Sequence, residues 1–261
     1  ERSIKMPKRG RSEESGEEEV DIGPRNRLPN FSTVEDLISA LGKAKNIIVL
    51  AGAGISVSCG IPDFRSKGGI YKMVEEMGLP LHDPQCLFDL EFFRDDPHPF
   101  YAFAHKLYPP TSSGGFVPSA THRFLAQLAA RRKLLRCYTQ NIDGLEVAAG
   151  VPSKLVVPCH GTLASATCLK CKSKACSEGS EAMEALKRAV AQGKVATCGL
   201  CLGGVLKPDV TFFGEGIAAR VKRSLDSDRL KCDLLIVLGT SLQVRPMSHV
   251  VGSWLPAHVP Q

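Results

Sequence analysis

Long apolar runs and aromatic side chains are scarce in this sequence. No apolar stretch approaches the ~18 residues of a membrane-spanning helix, and the first residues contain no apolar core of a secretion signal. Aromatic residues make up 6% of the chain, with one tryptophan, and no internal repeat is evident. These absences argue against a spanning helix, and we expect a soluble, unsecreted protein without a membrane partner.

The chain does contain enough apolar residues for a globular protein. Its 261 residues are 43% hydrophobic and 23% charged, which allows one large domain, or one large and one small domain, with a real core. The formal net charge of +6 is moderate. It fits protein or nucleic-acid partners, but a solvated basic exterior is the commoner reason for such a value.

The two ends of the chain are unusual. The sequence starts at Glu1 without a methionine and stops at residues 259–261 without a closing helix or strand, so we expect a fragment. Residues 1–30 are charged and lack hydrophobic periodicity, which predicts a disordered tail. A basic cluster in this tail fits either a nuclear-import signal or a plain solvated segment; it consists of Lys5, Lys8, Arg9 and Arg11.

Residues 46–65 are the stretch around which the chain is arranged. Four apolar residues, 47–50, predict a buried strand that runs into Gly52-Ala53-Gly54, where backbone can approach a ligand closely. Ser56 is a candidate helix cap whose turn would direct free N–H groups at an anion. The spacing G-x-G-x5-G departs from the dehydrogenase fingerprint. The stretch therefore predicts a phosphate-sized cavity, with a bare structural turn as the alternative.

Four short apolar segments end in small or polar residues. They are residues 47–50, 134–138, 155–157 and 234–238, mostly separated by helical patterns. This alternation predicts an α/β fold with a doubly wound parallel sheet, whose ligands bind at the carboxyl ends of the strands. We also expect a helix that begins near Ser32, with a Ser32/Glu35 capping box, a second over residues 121–133, and a third over residues 181–191 between the CxxC pairs. Residues 71–110 predict helical pieces broken by prolines and rich in aromatic rings, which suit a core or an apolar cavity.

The cysteines form two CxxC pairs separated by 26 residues. Each pair can present two thiolates to one metal, and two pairs complete a closed tetrahedral shell with no open position. The expected role is therefore structural zinc, held by Cys168, Cys171, Cys198 and Cys201, with Cys176 as a spare thiol. A zinc lobe can also bind nucleic acid, but this insert has few basic groups and no aromatic rings for stacking, so we expect no direct nucleic-acid binding.

At this point the sequence resembles the sirtuin family of NAD-dependent protein deacylases. The matching motifs, in the family's order, are GAGIS (52–56), GIPDFRS (60–66), YTQNIDGLE (138–146), CHGT (159–162), the two CxxC pairs, KPDVTFFGE (207–215) and GTSLQVRP (239–246). The resemblance covers about residues 30–261 and is greatest to the nuclear deacetylase branch. It implies a Rossmann-like part, residues 31–165 and 205–261, and a zinc-binding lobe at about 166–204, together one catalytic domain over 31–261.

The resemblance also implies roles for particular side chains. In the family, the acyl oxygen of an acylated lysine attacks C1′ of the nicotinamide ribose, nicotinamide leaves, and the acyl group later passes to the ribose 2′-hydroxyl. His160 matches the general base, and Asn141 and Asp143 match residues that orient the ribose and a water. The NAD-binding residues implied are Gly52, Ala53, Gly54, Ser56, Ile61, Asp63, Phe64, Arg65, Tyr71, Gln140, Asn141, Ile142, Asp143, Gly239, Thr240 and Ser241.

The substrate side is implied by residues 210–215, which resemble the segment that pairs with peptide backbone while the acyl-lysine enters an apolar tunnel. The implied substrate-binding residues are His160, Val210, Phe212, Phe213, Gly214 and Glu215. Removers of succinyl groups carry a Tyr-x-x-Arg pair where this chain has Ala104 and Leu107, so acetyl is the expected cargo. Acetylated proteins such as histones are the expected partners, in the nucleus or alternatively the cytoplasm; the sequence does not give an oligomeric state.

The sequence departs from the family after the GTS strand. The family continues into two further strands that hold the adenosine, so we expect the parent protein to be active and this piece to bind NAD poorly. Mono-ADP-ribosyl transfer on the same core and a non-catalytic acyl-lysine reader or zinc scaffold are the alternatives to deacetylation. A dehydrogenase is the other class that binds NAD.

Overall fold

The computed structural model describes residue 28 and residues 31–108, 115–177, 179–244, 247 and 250–261. The predicted disordered tail, apart from Leu28, and its basic cluster lie outside the described residues. The side chain of Cys176 also lies outside them, so its status as a spare thiol stays a prediction.

The predicted parallel sheet is present, with its four predicted strands. They are β1 (Ile47–Ala51), β2 (Leu134–Thr139), β3 (Val156–Pro158) and β7 (Leu234–Leu238), in the spatial order β3-β2-β1-β7 and all parallel. All five residues of β1 are buried. A central strand covered on both faces needs a continuous apolar run, which explains why this segment lacks the alternation of a half-exposed strand.

The two faces of β1 belong to two different cores. Ile47 and Val49 pack with Leu125 of helix α5 (Ala120–Ala130) on one face. Ile48 and Leu50 pack on the other face with residues of helix α8 (Ala219–Asp228) and of the π-helical turn Val250–Trp254. Successive side chains of a strand point to opposite faces, so one five-residue run anchors helices on both sides of the sheet.

The first helix differs in detail from the sequence prediction. Helix α1 (Val34–Lys43) is capped by Thr33, whose hydroxyl accepts from the Asp36 amide, so the capping box lies one residue beyond the predicted Ser32/Glu35 pair. The Asp36 carboxylate accepts from the amides of both Ser32 and Thr33, which fixes this register. Val34 and Ile38 of the predicted apolar face are exposed.

Residues 70–104 form short helical pieces, as predicted for residues 71–110. They are α2 (Ile70–Glu76), a 3-10 segment (Pro84–Phe88), α3 (Leu90–Asp95) and α4 (His98–Ala104). Most of their aromatic rings form a buried cluster with edge-to-face contacts, such as Phe93 with Phe100 at 5.3 Å between ring centroids. Core packing is therefore the use of most of these rings.

A second, antiparallel sheet carries the cysteines. Its strands are β4 (Gly161–Cys168), β5 (Lys174–Ser177) and β6 (Leu206–Val210), in the order β5-β4-β6. Helix α7 (Glu181–Ala191), which has the predicted bounds, packs through Met183, Leu186 and Val190 into the same core as the aromatic cluster. The small sheet reaches from Gly161 to Val210, a wider range than the predicted lobe; the domain boundaries stay predictions.

The helices of the described residues are short. Helix α6 (Leu145–Ala148), which follows β2, consists of a single turn. Within the described part of the chain, no helix has both the length and the apolar character that crossing a bilayer requires.

Candidate functional site

A cavity of about 420 Å³ lies where β1, β2, β3 and β7 end. This is the edge at which parallel sheets bind ligands. One wall comes from the turns after these strands, and the other from the loop before α2 and the segment after β6. The predicted site residues on its wall are Ala53, Gly54, Asp63, Phe64, Arg65, Tyr71, Gln140, Asn141, Ile142, His160, Val210, Phe212, Phe213, Gly214, Glu215, Gly239, Thr240 and Ser241.

The glycines after β1 are required by packing between two turns. A Cβ at Gly52 would lie 2.6 Å from Thr240 Cβ, and one at Gly54 would lie 2.8 Å from the Cα of Gly239. The Gly54 amide donates to the Gly239 carbonyl at 2.8 Å, and the Gly52 amide donates to Leu238. The turns after β1 and β7 are therefore held together directly, and these two amides are used inside the chain instead of being presented to an anion.

Ser56 has a different role from the predicted helix cap. It stands between two short 3-10 turns, and its side chain caps neither of them. Its hydroxyl donates to Asp143 Oδ2 at 2.8 Å and accepts from Asn141 Nδ2 at 3.2 Å. Because Asn141 Nδ2 also donates to the Gly52 carbonyl, both of its protons are used. Ser56 thus links the turn after β1 to the polar segment after β2.

Gln140 connects three strand ends. Its backbone amide donates to the Ala51 carbonyl at 2.9 Å, and its side-chain oxygen accepts from the Thr240 hydroxyl. Its backbone carbonyl lies 3.1 Å from His160 Nδ1. The residue after β2 therefore positions groups that follow β1, β3 and β7.

His160 is held in one tautomer by that contact. A carbonyl oxygen can only accept, so Nδ1 carries the proton and Nε2 carries the lone pair. Nε2 is buried and has no hydrogen-bond partner among the described residues. Burial lowers the pKa of the ring below its usual value, against the opposing effect of the Gln140 carbonyl. His160, a residue of the cavity wall, is thus a neutral imidazole whose acceptor nitrogen has no partner among the described residues.

Cys159, directly before His160, is not a candidate nucleophile. The thiol is buried, and burial raises its pKa to about 12. A thiol that stays protonated at neutral pH is a poor nucleophile.

Asp63, Phe64 and Arg65 lie in the loop before α2 and line the cavity. Asp63 Oδ1 accepts from the amides of Arg65 and Ser66, at 3.0 and 2.8 Å. Burial opposes ionisation of Asp63, but these amide bonds and the charge of Arg65 bring its pKa below the usual value. The Phe64 ring packs against Tyr71 and Phe88 with centroids 5.9 and 5.8 Å away. The carboxylate thus shapes the loop, while the ring and the guanidinium reach the cavity.

The far wall is mainly apolar and follows β6. Val210 and Phe212 are buried, and the Phe212 ring packs edge-on against Phe88 at 5.8 Å. The amide of Phe213 donates to the Phe88 carbonyl, and that of Thr211 donates to the His160 carbonyl. These backbone bonds place the wall directly beside the imidazole.

Four predicted site residues are not on the cavity wall. Ser56 and Asp143 lie behind Asn141 and contact it or each other, Gly52 lies in the turn contact with Thr240, and Ile61 is half-buried nearby. Sequence reasoning did not single out five wall residues as site residues: Thr211 lies inside the implied substrate segment 210–215, Phe88 belongs to the predicted aromatic cluster, and Ile217, Gln243 and Val244 complete the set. Gln243 and Val244 stand inside a quoted motif, whereas Phe88 is distant in sequence and reaches the cavity only through packing.

The four cysteines of the CxxC pairs meet in space. Their sulfur atoms all lie within 4.8 Å of one another, with Cys168 to Cys201 at 3.6 Å and Cys171 to Cys198 at 3.9 Å. Amide groups donate to two of the sulfurs, from Cys171 to Cys168 Sγ and from Leu200 to Cys198 Sγ. Gly204 leaves the space they need, since a Cβ there would lie 2.7 Å from Cys201 Sγ. The donor set fits a closed tetrahedral zinc site, as predicted.

The fold and the two sites define a class of protein. It is an α/β protein whose parallel strands end at a ligand cavity, and whose small antiparallel lobe carries a four-cysteine structural metal site. Residues 52–246 match the Sir2 family, and the chain therefore belongs to that family. The resemblance drawn from the sequence motifs is confirmed.

Curated relatives are similar in sequence to this chain over nearly all of its length. The chain is 43% identical over 260 residues to the NAD-dependent histone deacetylase sirtuin-1 of Drosophila melanogaster, covering 91% of this chain and 30% of that protein. It is 43% identical over 241 residues to the human NAD-dependent protein deacetylase sirtuin-1, covering 91% and 30%. With the NAD-dependent histone deacetylase SIR2 of Kluyveromyces lactis the identity is 42% over 268 residues, covering 92% and 39%. The chain thus spans about a third of the length of these relatives.

Proposed function

We propose that the protein removes acetyl groups from lysine side chains of other proteins and consumes NAD in doing so. The observation that carries this proposal is the imidazole of His160, a residue of the cavity wall whose unprotonated Nε2 has no partner among the described residues. A base of this kind can take a proton from a ribose hydroxyl at neutral pH. The names of the curated relatives, NAD-dependent histone and protein deacetylases, support the same activity.

When bound, NAD would supply an electrophilic ribose carbon: the bond from this carbon to nicotinamide would break as the acetyl oxygen becomes bonded to it. His160 would accept the hydroxyl proton at Nε2 and keep Nδ1 donating to Gln140. Asn141 has both amide protons engaged, so it would meet the ligand through its side-chain oxygen. Asp143 would not contact the ligand; its carboxylate would accept from the Ser56 hydroxyl and so fix the group that accepts from Asn141.

The loop before α2 would keep the reacting carbon dry. Phe64 packs on Tyr71 and Phe88 and covers the cavity from this side, while Arg65 supplies a positive charge suited to the diphosphate. The turns at Ala53, Gly54, Gly239, Thr240 and Ser241 would hold the same part of NAD.

The acetylated lysine would enter along the wall after β6. Val210, Phe212 and Phe213 provide apolar surface there, with Gly214 and Glu215 at the rim. Ala104 and Leu107, at the positions of the desuccinylase pair, are buried and uncharged. An acetyl group is therefore the acyl cargo that fits, and acetylated histones in the nucleus are the proposed substrates, as the relatives' names suggest.

Zinc would have a structural role. The four thiolates would fill its shell, so no ligand position would remain for a substrate. We assign it to a lobe of about residues 166–204, and the cavity to the surrounding parts of the chain.

The test is incubation of a full-length version of the protein with NAD and an acetylated histone peptide, with mass spectrometry of the products. Deacetylation predicts equal amounts of nicotinamide, O-acetyl-ADP-ribose and free lysine peptide. His160→Tyr should abolish all three and retain the zinc content of the unaltered protein. Nicotinamide release with ADP-ribose on protein would instead show ADP-ribosyl transfer, and peptide binding without NAD turnover would show a reader.

A further inference from the structure

A buried lysine lies beneath the wall that would hold the acetylated lysine. Lys207 is on β6, three residues before Val210, and only 7% of its side chain is exposed. Lysines are almost never this buried unless their charge is paired. Lys207 is not itself among the residues on the cavity wall.

The ammonium of Lys207 has three acceptors. Nζ lies 2.7 Å from the Val210 carbonyl, 3.3 Å from the Pro208 carbonyl and 2.8 Å from Glu215 Oε2. An ammonium has three protons, and these acceptors can use all of them. Lys207 is therefore bound to its own segment and has no proton left for an acidic acyl group in the cavity.

The same contacts fold the segment after β6 into a turn. Glu215 Oε2 accepts from the Phe212 amide at 2.7 Å as well as from Lys207, so one carboxylate oxygen joins the two. Nζ also lies 4.2 Å from the centroid of the Phe212 ring. The ammonium thus contacts the start of the turn at Val210, its middle at Phe212 and its end at Glu215.

These contacted residues belong to the cavity wall that follows β6. Val210, Phe212 and Glu215 all line the cavity, and the Thr211 amide between them donates to the His160 carbonyl. A change in the turn would move the wall relative to the imidazole. The turn after β1, where the diphosphate would bind, has no contact of this kind with Lys207 among the described residues.

We propose that Lys207 is a positioning residue for the acyl-lysine substrate. It fixes the turn over residues 210–215 in the shape that the substrate requires, and it contributes little to NAD binding. This inference rests on the proposed function for its substrate, but its structural part does not.

The structural part is tested by hydrogen exchange in Lys207→Met, which keeps the apolar stem and removes the ammonium. We expect amides in residues 211–215 to exchange at least about tenfold faster than in the unaltered protein, the loss of one charged hydrogen bond. Amides in residues 52–56 should exchange at an unchanged rate. Unchanged exchange in residues 211–215 would overturn the proposal.

The functional part is tested by steady-state kinetics with NAD and an acetylated peptide. Lys207→Met should raise KM for the peptide about tenfold or more and leave KM for NAD within about twofold. A purely structural role would raise both or lower only the amount of folded protein. Equal changes in the two KM values, or none, would overturn the proposal.

Lys174→Met is the matched control. Lys174, on β5, pairs at 3.8 Å with Asp209, which lies on β6 as Lys207 does. The Lys174 side chain is 66% exposed, and the Ser165 and Thr167 hydroxyls also donate to the Asp209 carboxylate. Its exchange rates and both KM values should match those of the unaltered protein. If Lys207→Met does not fold, Glu215→Gln removes the same charge pair, and hydrogen exchange in residues 211–215 is compared in that variant. If the full-length unaltered protein does not turn over NAD, the proposed function fails, and the exchange experiment still decides whether Lys207 holds the turn over residues 210–215.

Discussion

Nδ1 of His160 lies 3.1 Å from the backbone carbonyl oxygen of Gln140. The two residues are 20 positions apart in the sequence. Gln140 directly follows β2, and His160 lies two residues after the end of β3. The sheet therefore decides which ring nitrogen is protonated. A free Nε2 lone pair is the result, and it is the basis of the first prediction.

Activity should persist below the usual pKa of histidine. Because burial lowers the pKa of His160, the imidazole stays neutral and competent as a base in more acidic solution. The acid limb of kcat/KM against pH should therefore have its midpoint below 6.5, and His160→Ala should lower kcat by roughly 10²–10⁴-fold. A pH profile with its acid midpoint above 6.5 would contradict this assignment.

Gly54→Ala should destabilise the protein and disturb the cavity. The added Cβ would lie 2.8 Å from Gly239 Cα and 3.0 Å from its carbonyl oxygen, so the two turns must separate. We expect a loss of about 1–3 kcal/mol in the free energy of unfolding, measured by urea denaturation. Gly42→Ala is the control: it lies in α1 with nothing within 4 Å of the added Cβ, and it should stabilise by roughly 0.5–1 kcal/mol.

Cys198→Ser should lower the zinc content well below one ion per chain. The thiolate is one of four sulfurs in the cluster, and three sulfurs leave the tetrahedral shell open. Loss of metal should loosen β4, β5 and α7, which hydrogen exchange would detect. Cys232→Ser, a buried thiol remote from the cluster, should keep the full zinc content. Full zinc occupancy in Cys198→Ser would exclude Cys198 as a ligand.

Asp228→Ala should be among the more damaging substitutions outside the cavity. The Asp228 side chain is 1% exposed and accepts from Arg136 Nε at 2.8 Å and from the Tyr138 hydroxyl at 2.8 Å. Removing it leaves a guanidinium and a hydroxyl between β2 and α8 without their acceptor. We expect a loss of roughly 3 kcal/mol in the free energy of unfolding. Glu75→Ala, which breaks the exposed pair with Lys72, should cost less than about 0.5 kcal/mol.

Glu146 should make the protein less stable as the pH rises from about 4.5 to 7. Its carboxyl group is fully buried, and burial, together with the nearby Asp143 charge, outweighs the opposing effect of the Thr139 hydroxyl and raises its pKa from 4.5 to about 7. The folded state keeps the proton that the unfolded state releases, so stability falls across this interval by roughly 3 kcal/mol and then levels off. Denaturant unfolding of Glu146→Gln at several pH values should lack this fall; an identical pH profile would refute the assignment.

The sequence predicted the fold through a few strong local patterns. Four apolar segments ending in polar residues became the four strands of the parallel sheet, because a strand buried on both faces needs an unbroken apolar run. The two CxxC pairs predicted the cysteine cluster because each CxxC turn brings two sulfurs together. Helix α7 was predicted to the residue, since its cap and its apolar period agree.

Other features depended on contacts between distant segments. The sequence indicates that Gly52 and Gly54 allow close approach, but only the fold shows that the approaching group is the turn after β7. The apolar period of α1 was real, yet Val34 and Ile38 are exposed, because periodicity fixes which residues share a face and not what that face contacts. The cap of α1 moved by one residue because an aspartate that can accept from two amides stabilises the later register.

By itself, the sequence determined that an α/β sheet ends in a polar cavity, that four cysteines form a separate metal site, and which family motifs supply the side chains. The tertiary structure decided the tautomer of His160, the use of Ser56 as a link between two strand ends, and the pairing of Lys207 beneath the apolar wall. Each of these depends on the distance between atoms in different strands or turns. Local patterns specify elements and their buried faces, whereas protonation and pairing are fixed only when the elements meet.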